Sequence, residues 1–228
     1  MQKKTLILSL VIVFIFQNTT NLTAQDNETT KGQLQIAFVP QYIIWHGMRL
    51  DFEYLSKNNK HSFMISPQFY YDTNELNYSN NPQNYDSYGE YEQLTGYGAG
   101  LHHKLFINDL DDKGWRFYFA YGGSYSHFTM NYKSWTWMKY TEDGLNYFDY
   151  QLVPVTQNTD RIKADAYIGF QFNYAENMFL DFYIGMGGIY SINKMSHESA
   201  KPIYTEHMSD YAFTGFYMPL GFRFGLRF

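Results

Sequence analysis

Ten charged side chains stand at even spacing inside otherwise apolar runs: Arg49, Asp51 and Glu53; Lys104; Arg116; Lys163 and Asp165; Asp181; Arg223 and Arg227. On an extended strand, residues two apart share a face, so such a set can build an interior network of ion pairs and hydrogen bonds, or line a water-filled pore. Other candidate chemistry is thinner. His197 and Ser199 have the spacing of a base and a nucleophile, but they fall in a polar stretch where no orienting acid can be assigned. His102 and His103 are adjacent, so on a strand they point to opposite faces and cannot chelate one metal together. The chain has no cysteine, which removes disulfides, thiolate metal sites, a catalytic thiol and a lipid-modified cysteine. No catalytic, cofactor or metal site is expected.

The elements that must position the ten charges read as strands of period two. The clearest comes last: Phe216, Met218, Leu220, Phe222, Phe224, Leu226 and Phe228 alternate with Tyr217, Pro219, Gly221, Arg223, Gly225 and Arg227. A helix would scatter these apolar groups around its axis. Seven earlier segments follow the same rule: Leu34 to Tyr42, Met48 to Tyr54, Phe63 to Tyr71, Gly96 to Leu105, Trp115 to Gly122, Ile162 to Asn173 and Leu180 to Gly187. In each, the charged or small residues take one face and the aliphatic and aromatic residues the other. The first segment places Pro40 and Tyr42 on the apolar face.

Connections alternate in length. Short turns are expected near Ser56, Asn108 and Glu176, and long polar stretches near Asn80, Tyr140 and Ser199; only the connection at Trp45 to Gly47 breaks the alternation. Between Phe128 and Asp160 the segments YKSWTWMKY and LNYFDYQLV flank the turn TEDG. The favoured reading extends strands five and six as one long hairpin, and the alternative adds two spanning strands, making ten. The architecture expected is all-β, an eight-stranded antiparallel up-and-down transmembrane barrel with short periplasmic turns and three long extracellular loops.

Composition supports this. Aromatic residues make up 21% of the chain, with 23 Tyr and 20 Phe, yet mean hydropathy is only −0.44. Strands with one lipid face and one polar face produce that combination. Residues 1–24 read as a signal peptide: Lys3 and Lys4 precede the apolar run Leu6 to Phe16, with cleavage expected near Ala24 and the barrel over 25–228. That run is too short for a spanning helix, which needs roughly 20 apolar residues. Net charge is −5 without a basic block, so nucleic acid is not an expected partner.

With these features the chain resembles the small outer-membrane β-barrel proteins of the eight-stranded OmpA and OmpX type, and the TAQ ending of its leader looks like those common in Bacteroidota. The resemblance covers the mature chain and is most specific in the C-terminal GFRFGLRF. There Phe228, with Leu226, Phe224 and Phe222, looks like the signal read by the barrel-assembly machinery. It implies a Gram-negative outer-membrane location reached by the general secretory pathway, contact with outer-membrane lipid and lipopolysaccharide, and a possible outer-membrane protein partner. No peptidoglycan-binding domain is implied. The expected role is a structural or interaction barrel, with a narrow channel as the alternative. A lipid A-modifying enzyme ranks below both, since His197 and Ser199 resemble a deacylase pair that its family carries on a strand. Loop aromatics Tyr85, Tyr88, Trp135, Trp137, Tyr147 and Tyr204 are the candidate external contacts.

Overall fold

The computed structural model describes residues 32–57, 59–75, 90–108, 114–175 and 177–228. The leader at 1–24 and the loop tyrosines Tyr85 and Tyr88 lie outside the described residues. Among those described, nine strands form: β1 (Gln33–Phe38), β2 (Gly47–Leu55), β3 (His61–Thr73), β4 (Gln93–Phe106), β5 (Trp115–Glu142), β6 (Leu145–Ala175), β7 (Met178–Met195), β8 (Gly215–Tyr217) and β9 (Leu220–Arg227). Each pairs antiparallel with its sequence neighbour up to β7, β7 takes both β8 and β9, and β9 returns to β1. The sheet therefore closes. Because β8 and β9 are one stave interrupted at Met218 and Pro219, the ring has eight positions. Closure pairs every stave of the lower wall on both sides, which removes the unpaired donors and acceptors of an open sheet.

The alternation sets the two faces as read from sequence. Gln35, Asp51, Glu53, Gln68, Lys104, Tyr118, Gln171, Asp181 and Arg223 are buried inside, while Phe63, Ile65, Phe69, Leu101, Phe117, Ile168, Met186 and Leu220 are exposed outside. Among the described residues no helix is long and apolar enough to cross a membrane.

Two local departures matter, and one pairing decides between the eight- and ten-stranded readings. β1 ends at Phe38 instead of running to Tyr42, because Pro40 opens a 3-10 turn over Pro40–Trp45. Proline has no N–H for a ladder and its φ is already helical. The turn closes on His46, which adopts the left-handed conformation with φ 52°. The last strand is likewise not continuous: Pro219 cannot donate to the ladder, and the chain leaves strand geometry at Met218 and Pro219. Finally, β5 and β6 pair without interruption from Trp115↔Phe172 to Glu142↔Leu145. The ten-stranded alternative is thereby corrected: the interval 128–160 is one hairpin rising from the rim. Its tip is a two-residue turn in which Asp143 (φ 51°) and Gly144 (φ 78°) are both left-handed, the backbone that matches strand twist and favours Asp-Gly.

Candidate functional site in the barrel lumen

The middle of the lumen is an ion-pair layer. β2 sends Arg49, Asp51 and Glu53 inward at consecutive alternate positions, β4 adds Lys104, β7 adds Asp181 and β9 adds Arg223. The Arg223 guanidinium donates from Nε to Asp181 (2.9 Å), from Nη1 to Asp51 (2.9 Å) and from Nη2 to the Tyr118 hydroxyl (3.2 Å). Lys104 Nζ donates to Glu53 at 2.6 Å and to Asp181 at 3.1 Å. Arg49 donates to Asp51 through Nε (2.6 Å) and Nη2 (3.2 Å). The Tyr118 hydroxyl donates to Asp181, and Ser62 Oγ donates to Glu53 at 2.6 Å. Three cations thus face three carboxylates. Lys104 and Asp181 are 0% exposed and Arg223 is 1%, so this layer is solid side chain. A buried ion costs several kcal/mol to desolvate, of the order that attraction repays only when each charge finds good geometry and further hydrogen bonds. Here each has two or more partners.

The other four predicted lumen charges do not join that layer. Toward the turn end, Arg116 Nη2 donates to Gln171 Oε1 at 2.7 Å, its guanidinium lies 4.3 Å from the Phe106 ring centroid, and Gln171 Nε2 in turn donates to Gln35 at 3.0 Å. Arg227 Nη2 donates to Asn173 Oδ1 at 3.0 Å. Toward the loop end, Asp165 meets His102 Nε2 at 3.0 Å and accepts from the Tyr217 hydroxyl. Lys163 Nζ sits 5.2 Å from the Tyr217 ring centroid.

Parity places Tyr118, Tyr217 and His102 on the lumen face, but the sequence reading did not count them among the polar network, and it passed over Arg161. Arg161 was legible. It stands two residues before Lys163, so the same parity points it inward; there it lies 4.5 Å from the Phe128 ring centroid and Nη1 donates to the Asp210 carbonyl at 3.2 Å. Above the ion-pair layer remains a cavity of about 200 Å³ whose wall includes Arg49, Arg161, Lys163, Asp165, Tyr183 and Tyr217.

An aromatic lid covers the mouth. Tyr211, in the connection between β7 and β8, is buried with Tyr70, Tyr91, Leu94, Phe128 and Met130, and its hydroxyl donates to the Trp45 carbonyl at 2.9 Å. Tyr204, read as an external contact, packs here instead, 5.4 Å from Tyr91 and 5.6 Å from Tyr211 between ring centroids. Trp135, Trp137 and Tyr147 decorate the hairpin: Tyr150 stacks on Trp135 at 5.6 Å and lies tilted against Trp137 at 5.0 Å, and Tyr140 stacks on Tyr147 at 5.4 Å. The hydroxyl of Ser199 accepts from Thr136 (2.6 Å) and donates to the Trp137 carbonyl (3.0 Å), pinning the loop to the hairpin. His102 and His103 do point oppositely, the latter outward to His61 (3.2 Å) and Tyr121 (2.9 Å). Phe222, Phe224, Leu226 and Phe228 lie along the outer face of the closing strand, and the Phe228 amide donates to the Leu34 carbonyl at 2.8 Å.

No family model matches the chain, and no curated protein sequence does. Among solved structures it is similar to the N-terminal β-barrel domain of OprF from Pseudomonas aeruginosa, with 13% identity and a TM-score of 0.36 over 87% of this chain and 100% of that one. A major outer membrane protein from Thermus thermophilus gives 12% identity and a TM-score of 0.45 over 87% and 98%. CarO of Acinetobacter baumannii gives 8% and 0.37 over 86% and 95%.

Proposed function

We propose that the chain is an outer-membrane barrel with a closed, non-conducting lumen, which acts as a structural or interaction protein through its extramembrane hairpin. The observation that carries this is the inverted wall: the ion pairs are inside and the large apolar side chains outside. Soluble monomers rarely expose a contiguous apolar patch beyond a few hundred Å². Here an apolar belt covers β2 to β9, bounded at the loop end by Tyr71, Tyr97, Tyr125 and Tyr190 and at the turn end by Tyr54 and Trp115, all exposed. Aromatic girdles of this kind fit the two lipid interfaces.

An eight-stranded interior is just wide enough for side chains to fill, and the layer around Arg223 fills it, which disfavours a channel. Above the belt, Trp137, Tyr140, Leu145, Tyr147 and Phe148 are exposed on the hairpin. Large amphipathic rings make efficient contact area for a protein or glycan partner. The terminal Phe228, with Phe222, Phe224 and Leu226, suits recognition by the assembly machinery.

The test is reconstitution. The protein should float with liposomes, migrate differently on gels before and after boiling, and give no steady current in a planar bilayer. Failure to float would overturn the membrane reading; large long-lived currents would overturn the closed lumen.

A further inference from the structure

Buried polar groups are nearly always hydrogen-bonded, so each exception calls for an explanation. Three of the unpartnered side-chain atoms in this barrel, Arg161 Nε, His102 Nδ1 and Gln41 Oε1, belong to residues that line the same cavity. Lys163 lines it too. Its ammonium has the Tyr217 ring beside it, and among the described residues no carboxylate stands within ion-pair distance. Arg161, which is 5% exposed, likewise has no carboxylate among the described residues and has a carbonyl and a ring instead. Asp165, the acid on this wall, is already engaged by His102 and Tyr217. Two cations without counter-charges among the described residues, one of them with an unused donor at Arg161 Nε, face one cavity.

That space also has a side entrance. The β1–β9 ladder stops at Phe38↔Phe224 and the β1–β2 ladder at Phe38↔Leu50. Beyond one further bond, from the Val39 amide to the Arg49 carbonyl at 3.3 Å, among the described residues β8 and the upper part of β9 pair only with β7, and Gly47 and Met48 pair only with β3. The wall there is a seam without ladder bonds. The turn Pro40–Trp45 occupies it, and Gln41 reaches across Gly221, where a Cβ would collide with its amide, to donate to the Tyr183 hydroxyl at 2.9 Å. Met218, Pro219 and Leu220 carry the cavity lining out to the apolar face. At about 200 Å³ the cavity is smaller than the roughly 300–1,000 Å³ of sites that enclose a whole drug-sized ligand. It suits a headgroup whose chain stays outside.

We propose that the cavity binds an oxyanion, phosphate or carboxylate, held by Arg161 and Lys163, and that an acyl chain attached to it leaves through the seam beside Gln41. A planar guanidinium and an ammonium are the side chains suited to such an anion. The membrane source of the ligand rests on the reading above; the oxyanion chemistry does not.

The experiment titrates protein in dodecyl maltoside micelles with dodecyl phosphate, with inorganic phosphate, and with dodecyl phosphocholine as the charge-masked control. Trp45, on the cavity wall, reports occupancy by fluorescence, with the unfolding temperature as a second readout. Saturable binding of dodecyl phosphate, weakened at least tenfold in Lys163→Met and Arg161→Gln variants that still show heat-modifiable migration, is the expected result. Dodecyl phosphate at least tenfold tighter than inorganic phosphate assigns the ligand to the membrane, and Gln41→Ala should then speed its entry. Equal affinities keep the oxyanion site but overturn entry through the seam. No saturable binding of either anion by the folded wild-type protein, or binding unchanged in both variants, overturns the proposal. Flotation with liposomes is scored separately, so a barrel that floats but does not bind refutes this inference alone.

Discussion

Asp181 and Arg223 are register partners on adjacent strands, β7 and β9, and their side chains meet on the lumen face at 2.8 Å. The pair therefore sits on the ladder next to the β1–β9 closure, with Asp51, Lys104 and Tyr118 gathered on it from three other strands.

Removing one member should leave its partner buried and uncompensated. Asp181→Ala is expected to destabilise the barrel by about 3–5 kcal/mol, measured by urea unfolding in lipid. Arg223→Lys keeps the charge but not the fork that spans Asp181 and Asp51, so it should cost about 1–3 kcal/mol, the scale of leaving a buried acceptor unsatisfied. Wild-type stability for Asp181→Ala would refute the role given to the layer.

The outward residues flanking Arg223 test the membrane face. Phe222→Arg or Phe224→Arg is expected to cost roughly 2–4 kcal/mol if the site lies near the bilayer midplane, with assembly yield as a second readout. Neutral behaviour at both positions would show that this face does not meet lipid.

β7 carries a built-in comparison between two glycines. A Cβ at Gly185 would run into the Ala166 carbonyl and the Tyr167 backbone, whereas one at Gly188 would meet nothing. Gly185→Ala should cost about 1–3 kcal/mol by overpacking. Gly188→Ala should be neutral or stabilising by about 0.4–1 kcal/mol through the unfolded chain. Thermal unfolding of the two variants decides, and equal melting temperatures would contradict the packing described.

The lid should respond to alkali before the barrel does. Burial pushes the phenols of Tyr204 and Tyr211 up to about 12. A folded-state value above that of the unfolded chain, about 10, means stability that is complete below pH about 10 and is lost as pH rises through the folded value. Each ultraviolet difference titration, wild type against Tyr204→Phe or against Tyr211→Phe, should isolate one phenol ionising late. Ionisation of both near 10 would show that the lid is open.

Faces were legible in the sequence wherever strands obey period two, because parity alone decides which side chain enters the lumen. Parity fails where proline leaves the ladder. Tyr42, assigned outward by continuing β1, instead turns in, and its hydroxyl accepts from Arg49 at 3.2 Å. Which charges pair was not legible, since that depends on the stagger between strands: Asp181 reaches both Lys104 and Arg223, while Lys163 and Asp165, equally even-spaced, reach neither. The lid was least visible, because Tyr204 and Tyr211 are fixed by rings from distant strands and no local pattern announces such contacts.

The long β5–β6 hairpin has a consequence for how the ring can assemble. Its two-residue tip joins residues adjacent in sequence, so its ladder zips with little loop-closure entropy, while Ile36 finds Leu226 only across nearly the whole chain. Pairing of β1 with β9 is therefore the kinetically costly event. Before it, the sheet is a curled ribbon exposing two unsatisfied borders; after it, the backbone is locked on itself as a hoop.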